Sequence, residues 1–385
     1  MKRLFIALSI GFVTLTNLYA NYGWPIKDFN TQHQIIGTFG EYRTGHFHSA
    51  VDINSPEGTM VWNIETDTCY LRGRGINIGH FRYFHLDTEQ VFVDDSELVY
   101  AGDTIAKTDS NNHVHLMESR TELKTYGDPT NVWWLDLLRN GALTPFVDSV
   151  TPTIYWIRFY EKDTGGIVLG DSISSDSLHG RIDILSSAGD MRTDSTGHSA
   201  GGNCSIYRIG YLVKDTLGNI VKPYWEKIKF DSVYNHKDTT RLNRTYGPGS
   251  ATDVFRYWVT NDPFNDTIAK RNWYWNTKQK AGQPDPVDAE SIEVAKFKDG
   301  YYWVKVIAAD IRNNADSESV NVHIDNFPPR VKKTYPDNWY RWIAKDEKEV
   351  WCIFSKTKEE YQTIRLSVSP LPLFIIIYKN TKVKV

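Results

Sequence analysis

Apolar and polar residues alternate singly along much of this chain, the period that puts every second side chain on one face of a β-strand. The stretch TPTIYWIRFYEKDTGG, from Thr151, alternates in this way and ends in a turn. SIYRIGYLVKDTLGNIVKPYW, Ser205 to Trp225, gives two alternating runs about a DTLGN turn and predicts a hairpin. Asp299 to Pro329 repeats the plan: strand, polar turn, strand, proline stop. The turn-rich segments NRTYGPGSATD and KAGQPDPVDAE read as loops, and LPLFIII, near the end, reads as one strand of an incomplete unit. The prediction is a mainly-β chain.

The first twenty residues stand apart. Lys2 and Arg3 precede the apolar run LFIALSIGFVTL, and NLYA offers a cleavage point after Ala20. That order is the mark of a secretory leader, and roughly twelve apolar residues fall short of the ~20 needed to span a bilayer. The expectation is a secreted protein of the periplasm, cell envelope or extracellular space, with no transmembrane segment after cleavage. A length of 385 residues suits two or three domains, and a net charge of −3 gives no reason to expect a nucleic-acid partner. Cys69, Cys204 and Cys352 are odd in number and far apart, so they form neither a disulfide framework nor a CxxC metal clip. Any metal site must use histidines and carboxylates.

Seven of the eleven histidines fall between His33 and His115. In NNHVHLME, a helix would point His113 and His115 roughly 200° apart, whereas a strand puts both on one face. Val114, Leu116 and Met117 favour a buried strand, so His113 and His115 should project into one cavity. The same period in GHFHSAVDI puts His48, Ala50 and Asp52 on one face, with His46 towards the strand start. In FRYFHLD, His85 is expected on a strand with Tyr83 on the same face. His33, His46 and His80 receive no role; for His46, a groove wall or a solvated strand edge are both open, the edge being the simpler.

These residues carry a family resemblance. The chain resembles the lysostaphin/LytM-type zinc metallopeptidases, which cleave peptide bonds in peptidoglycan. The family's H-x-x-x-D motif is matched by His48 and Asp52, its H-x-H by His113 and His115, and its Y-x-H-L by Tyr83 to Leu86. GTFGEYR (Gly37 to Arg43), VYAGDTIA (Val99 to Ala106) and YGDPTNVWWLDLL also match in order and spacing, over roughly Gly23 to Leu138. The resemblance implies one Zn²⁺ held by His48, Asp52 and His115, with His85 and His113 as non-ligand catalytic histidines. Three protein ligands leave the fourth tetrahedral position open, as catalytic zinc requires. One histidine would take a proton from water, and the other would stabilise the oxyanion or protonate the leaving amine; the sequence does not divide those roles. A two-histidine, one-carboxylate set also describes non-haem iron sites, but those have no use for the extra histidine pair.

Two departures stand out: Ala50 where the family has glycine, and KTDSNN in place of a Gly-rich turn before H-x-H. The Asp299–Pro329 plan resembles the closing hairpin of immunoglobulin-like modules. The expected layout is therefore a leader (1–20), a LytM-type antiparallel β-sheet peptidase domain (21–146), an immunoglobulin-like β-sandwich region (147–330) and a tail or incomplete β unit (331–385). The β-region either targets glycan through exposed aromatics or acts as spacer and packing partner. The expected function is a monomeric zinc endopeptidase acting on peptidoglycan peptides, against the alternative of a non-catalytic module that binds peptidoglycan or activates a partner hydrolase.

Overall fold

The computed structural model describes residues 21–72, 75–124, 131–162, 170–264, 273–278 and 297–326, and the backbone of five strands between 330 and 377. The leader (1–20) and the segment KAGQPDPVDAE lie outside the described residues. The chain is mainly β, with antiparallel strand pairs and one short helix among the described residues. No helix there is long and apolar enough to cross a membrane.

The largest sheet has nine strands: β1 (Ile35–Gly37), β2 (Val51–Asn54), β3 (Asp67–Arg72), β4 (Gly75–Ile78), β5 (Phe81–Phe84), β6 (Leu98–Val99), β7 (His113–Ser119), β8 (Trp133–Leu135) and β9 (Ser232–Tyr234). Their order is β1-β2-β7-β5-β4-β3-β6. The central strand β7 pairs with β5 along one edge; along the other it pairs first with β2 and then, at Glu118 and Ser119, with β8. β8 in turn pairs with β9, so a strand from residue 232 onward completes a sheet begun at residue 35.

Alternation sorts the two faces of this sheet. Val51 and Ile53 of β2, Phe81 and Tyr83 of β5, and Val114 and Leu116 of β7 point into one apolar core with Trp24, Ile76 and Ile105. The opposite face carries Asp52, Arg82, Phe84, His113, His115 and Met117. Its far end is covered by a second core that joins Phe39, Phe47, Ala50, Met117, Leu123 and Trp134 to residues from Ile154 to Ile324. Two further sheets build that second core. One is centred on the long strand Arg181–Thr193, which pairs with Thr153–Glu161, Ser199–Cys204, Arg256–Trp258 and Trp275–Asn276. The other has the order Ile220–Lys229, Arg208–Asp215, Gly300–Ala309, Ala315–Ile324.

Both expected hairpins form, and the alternating run after Thr151 is the strand Thr153–Glu161. NRTYGPGSATD is not loop throughout: Asn243 to Thr245 close helix α1 (Thr239–Thr245). The Asp238 side chain caps this helix, accepting from the amides of Thr240 and Arg241 at 3.1 Å each. LPLFIII is the last strand of an antiparallel five-stranded meander spanning residues 330–377.

Candidate metal centre

The polar end of the second sheet face is where the sequence-predicted residues meet. Asp52 on β2 is paired in register with His115 on β7, which puts the two side chains side by side on the same face. His115 Nδ1 lies 2.7 Å from Asp52 Oδ1. His48 Nε2 lies 3.0 Å from Asp52 Oδ2 and 3.3 Å from His115 Nδ1. Three nitrogen and oxygen donors bonded at about 2.0–2.1 Å to a tetrahedral zinc stand about 3.3–3.4 Å apart. The separations approach that spacing, and two imidazoles with one carboxylate are a donor set suited to zinc.

His48 does not reach the site by strand period. The strand His46–Phe47 ends before it, β2 begins at Val51, and Ala50 packs fully buried in the second core rather than facing the cavity. The segment GTFGEYR holds His48 instead. His48 Nδ1 donates to the Thr38 carbonyl at 2.7 Å, which leaves Nε2 to face Asp52. Thr38 is braced in turn by the buried Glu41 carboxylate, which accepts from both its amide and its hydroxyl. Gly37 lies opposite Asp52 in register, and a Cβ there would come within 2.4 Å of Asp52 Oδ2. The glycine makes room for the carboxylate.

His113 and His115 share a face as expected, and His113 Nε2 stands 3.6 Å from Asp52 Oδ1. His113 Nδ1 donates to the Asn111 carbonyl at 2.9 Å, so Nε2 is the acceptor nitrogen. The turn ahead of this strand explains the missing glycines. Asn112 adopts φ 59°, a left-handed conformation asparagine tolerates, and its side chain accepts from the Glu57 amide at 2.9 Å.

His85 departs from expectation. It is not within a strand: it takes φ 64° between β5 and the strand Leu86–Val91, which belongs to a different, three-stranded sheet. That reversal breaks the two-residue period. Tyr83 points into the first core, with its hydroxyl between the Ile64 amide and Asn63, while the His85 ring turns to the opposite side. There it lies 4.4 Å from the His113 ring and 5.6 Å from the His115 ring, centroid to centroid. His85 Nδ1 is buried with no hydrogen-bond partner among the described residues, as suits an atom facing a ligand.

The electrostatics follow from burial and this pairing. Burial pushes the Asp52 carboxyl up, but His48 and His115 outweigh it and hold the group well below the usual carboxylate range. Burial also opposes protonation of His48, yet its contacts with Asp52 leave it raised overall. For His115, burial wins and the ring stays neutral more readily. Burial, followed by the neighbouring His113 and His115, takes His85 down to about 4. Two ligand sets can be drawn here, since His85, His113 and His115 also converge within 4.8 Å. The set with Asp52 is the more buried and brings a negative charge to a dication, which lowers the cost of burying it.

A cavity of about 280 Å³ is lined by His48, His85 and His115 among others, with Asp52 and His113 outside its lining. His46, half-buried, also lines it and so takes the groove-wall position rather than a solvated edge. Among the lining residues not singled out in the sequence are His236 and Lys237, which come from the turn after β9. No motif marks them. Neither a scan against protein-family models nor a search of curated proteins finds a match for this chain.

Proposed function

We propose that this chain is a zinc-dependent endopeptidase of the lysostaphin/LytM type that hydrolyses peptide bonds in peptidoglycan stem peptides or cross-bridges. The observation that carries the reading is the meeting of His48 Nε2, the Asp52 carboxylate and His115 Nδ1 within 2.7–3.3 Å, beside two further histidines. The finer architecture belongs to the same reading: a LytM-type sheet, a sandwich of immunoglobulin-like character after it, and secretion as a monomer. When bound, the metal supplies Lewis-acid chemistry, lowering the pKa of water and polarising a carbonyl.

The protein's own groups divide the remaining work. His113, with Nδ1 tied to Asn111 and Nε2 accepting, takes the proton from the attacking water. His85, kept neutral by burial, donates a hydrogen bond to the oxygen on which negative charge develops. Its ring is the poorer base and the better neutral donor. Asp52 and His48, locked to each other and to Thr38, hold the donor triangle in shape. A module that only binds peptidoglycan has no need of the His85–His113 pair.

The test compares His115→Ala, His113→Ala and His85→Ala by zinc stoichiometry and by mass analysis of peptides released from purified peptidoglycan. His115→Ala should lose zinc and activity together. The other two should keep zinc and lose on the order of 10²–10⁴ in rate. Zinc lost in His113→Ala and kept in His115→Ala would transfer the ligand role to the other histidine. A folded wild-type protein that takes up no zinc would end the enzyme reading.

A further inference from the structure

The four-stranded sheet of the second half buries one face. Ile209, Tyr211 and Val213 on one central strand, and Val304, Val306 and Ala308 on the other, belong to the second core. The alternate residues face outwards, where an antiparallel sheet ordinarily carries polar side chains. Here several are large and aromatic. On the strand Gly300–Ala309, Tyr301 is 58% exposed and Trp303 42%. Two residues apart on one strand, they stand side by side on one face, with α-carbons about 6.8 Å apart. The His323 ring braces Tyr301 at 4.8 Å, centroid to centroid. A third ring, Tyr224, lies over Gly210, where a Cβ would meet it at 2.8 Å. The Tyr224 hydroxyl donates to the Glu226 carboxylate at 2.7 Å, which holds that ring down on the sheet.

The charges on this face leave a positive remainder. Lys214 is in register with Trp303, and Lys305 follows Trp303 on the same face, in register with Leu212. Among the described residues neither lysine makes an ion pair. Glu226, an acid on this face, is taken by Arg208 at 3.0 Å, and Lys229 is taken by Asp231 at 2.9 Å. Asp215 alternates to the other face and accepts from the amides of Leu217 and Asn219. Two uncompensated ammonium groups beside exposed rings suit a partner that is anionic and built of flat units. We propose that this outer face docks a carboxylated polysaccharide, whose sugar rings lie on Trp303 and Tyr301 and whose carboxylates meet Lys214 and Lys305. The C–H face of a sugar ring is apolar and packs on an aromatic face, while its rim hydroxyls reach polar tips such as the tyrosine hydroxyl. An extended peptide would instead add to a strand edge, but the central strands here have both edges paired. Single-stranded nucleic acid asks for a longer basic track than two lysines on a chain of net charge −3. The surface uses no residue of the candidate metal centre, so the proposal stands or falls apart from the peptidase reading.

The test passes the full chain over four immobilised polymers and reads binding by biolayer interferometry. Carboxymethylcellulose offers rings and carboxylates, hydroxyethylcellulose the same rings without charge, polyglutamate charge without rings, and oligothymidylate bases with phosphate. The wild type should bind carboxymethylcellulose about five-fold more tightly than hydroxyethylcellulose, and the gap should close as salt is raised. Trp303→Ala should weaken binding to both celluloses about ten-fold, and Trp303→Phe should recover most of it. Lys214→Gln with Lys305→Gln should abolish the preference for carboxymethylcellulose and leave hydroxyethylcellulose binding as it was. Melting temperature should hold in these variants, since the side chains lie on an outer face. Binding should also be the same with a chelator present, which separates this surface from the metal centre. No binding to either cellulose, or equal binding to both, would overturn the proposal. So would polyglutamate or oligothymidylate held as tightly as carboxymethylcellulose, or binding lost with the chelator. A Trp303→Ala protein that melts earlier but binds as before would make the ring a support for its strand and nothing more.

Discussion

If one core spans residues 147 onward and the face of the nine-stranded sheet, a change deep in the second half must loosen the candidate metal centre. Phe230→Ala tests this. Phe230 is fully buried, stacks on Tyr246 at 6.2 Å, and meets Phe47 and Phe264 at 6.3 and 5.6 Å. Gly40, at φ 86°, lies so close that a Cβ there would stand 2.5 Å from the Phe230 ring. Removing the ring forfeits about 2 kcal/mol of transfer free energy. A residual cavity of roughly 100 Å³, at about 24 cal/mol per Å³, adds about 2.4 kcal/mol. The sum of about 4–5 kcal/mol, with a urea m-value near 3 kcal/mol/M, shifts the midpoint by about 1.5 M. Hydrogen exchange in graded urea would follow peptides from residues 50–60, 110–120 and 205–260 separately. All three should move together, because Phe47 ties His48 to Phe230. Peptides 50–60 and 110–120 keeping their wild-type midpoint while 205–260 shifts would refute the single-core reasoning.

Gly37→Ala should press on Asp52 and weaken zinc binding about 10–100-fold, read by competition with a chromophoric chelator; unchanged affinity would mean the carboxylate has room to move. A pH effect follows from Asp148, Asp190 and Asp310, whose carboxylates converge within 4.8 Å. Burial, then Asp148, takes Asp190 up to about 8, and burial takes Asp148 up to about 6. The contribution of these groups to stability is fully present below about pH 4 and is lost as pH rises towards 8, because the folded state holds their protons more tightly than the unfolded chain. Asp190→Asn should thus raise the melting temperature at pH 9, by the equivalent of a few kcal/mol, and do little at pH 4; an equal gain at both would sink the argument.

How legible the site was depended on the backbone at each residue. His113 and His115 were readable because β7 is a regular strand whose other face, Val114 and Leu116, is plainly apolar. His85 was expected on the face of Tyr83 and lies opposite, since one residue at positive φ cancels the period and no alternation pattern records that. His48 was placed by strand period, yet it is held by the loop from Thr38 to Glu41. Both long hairpins could be read from alternation. β8 and β9 could not: each has three residues, too few to show a period, and they pair only because the intervening chain brings them together. Lys237 has no motif at all, since its place in the cavity lining depends on which surface its turn rests against.

The pairing of β8 with β9 also sets an order of events during synthesis. β8 leaves the ribosome roughly a hundred residues before its partner, which at 5–20 residues per second is an interval of about 5–20 s. Through that time the edge at Trp133–Leu135 has unpaired amides and carbonyls next to two tryptophans, a template for pairing with a neighbouring nascent chain. The cavity wall at His236 and Lys237 is missing for the same interval. A growing chain can thus carry His48, Asp52, His85, His113 and His115 and still lack one wall of the cavity, so under the proposed peptidase reading activity would begin only once most of the chain has been made.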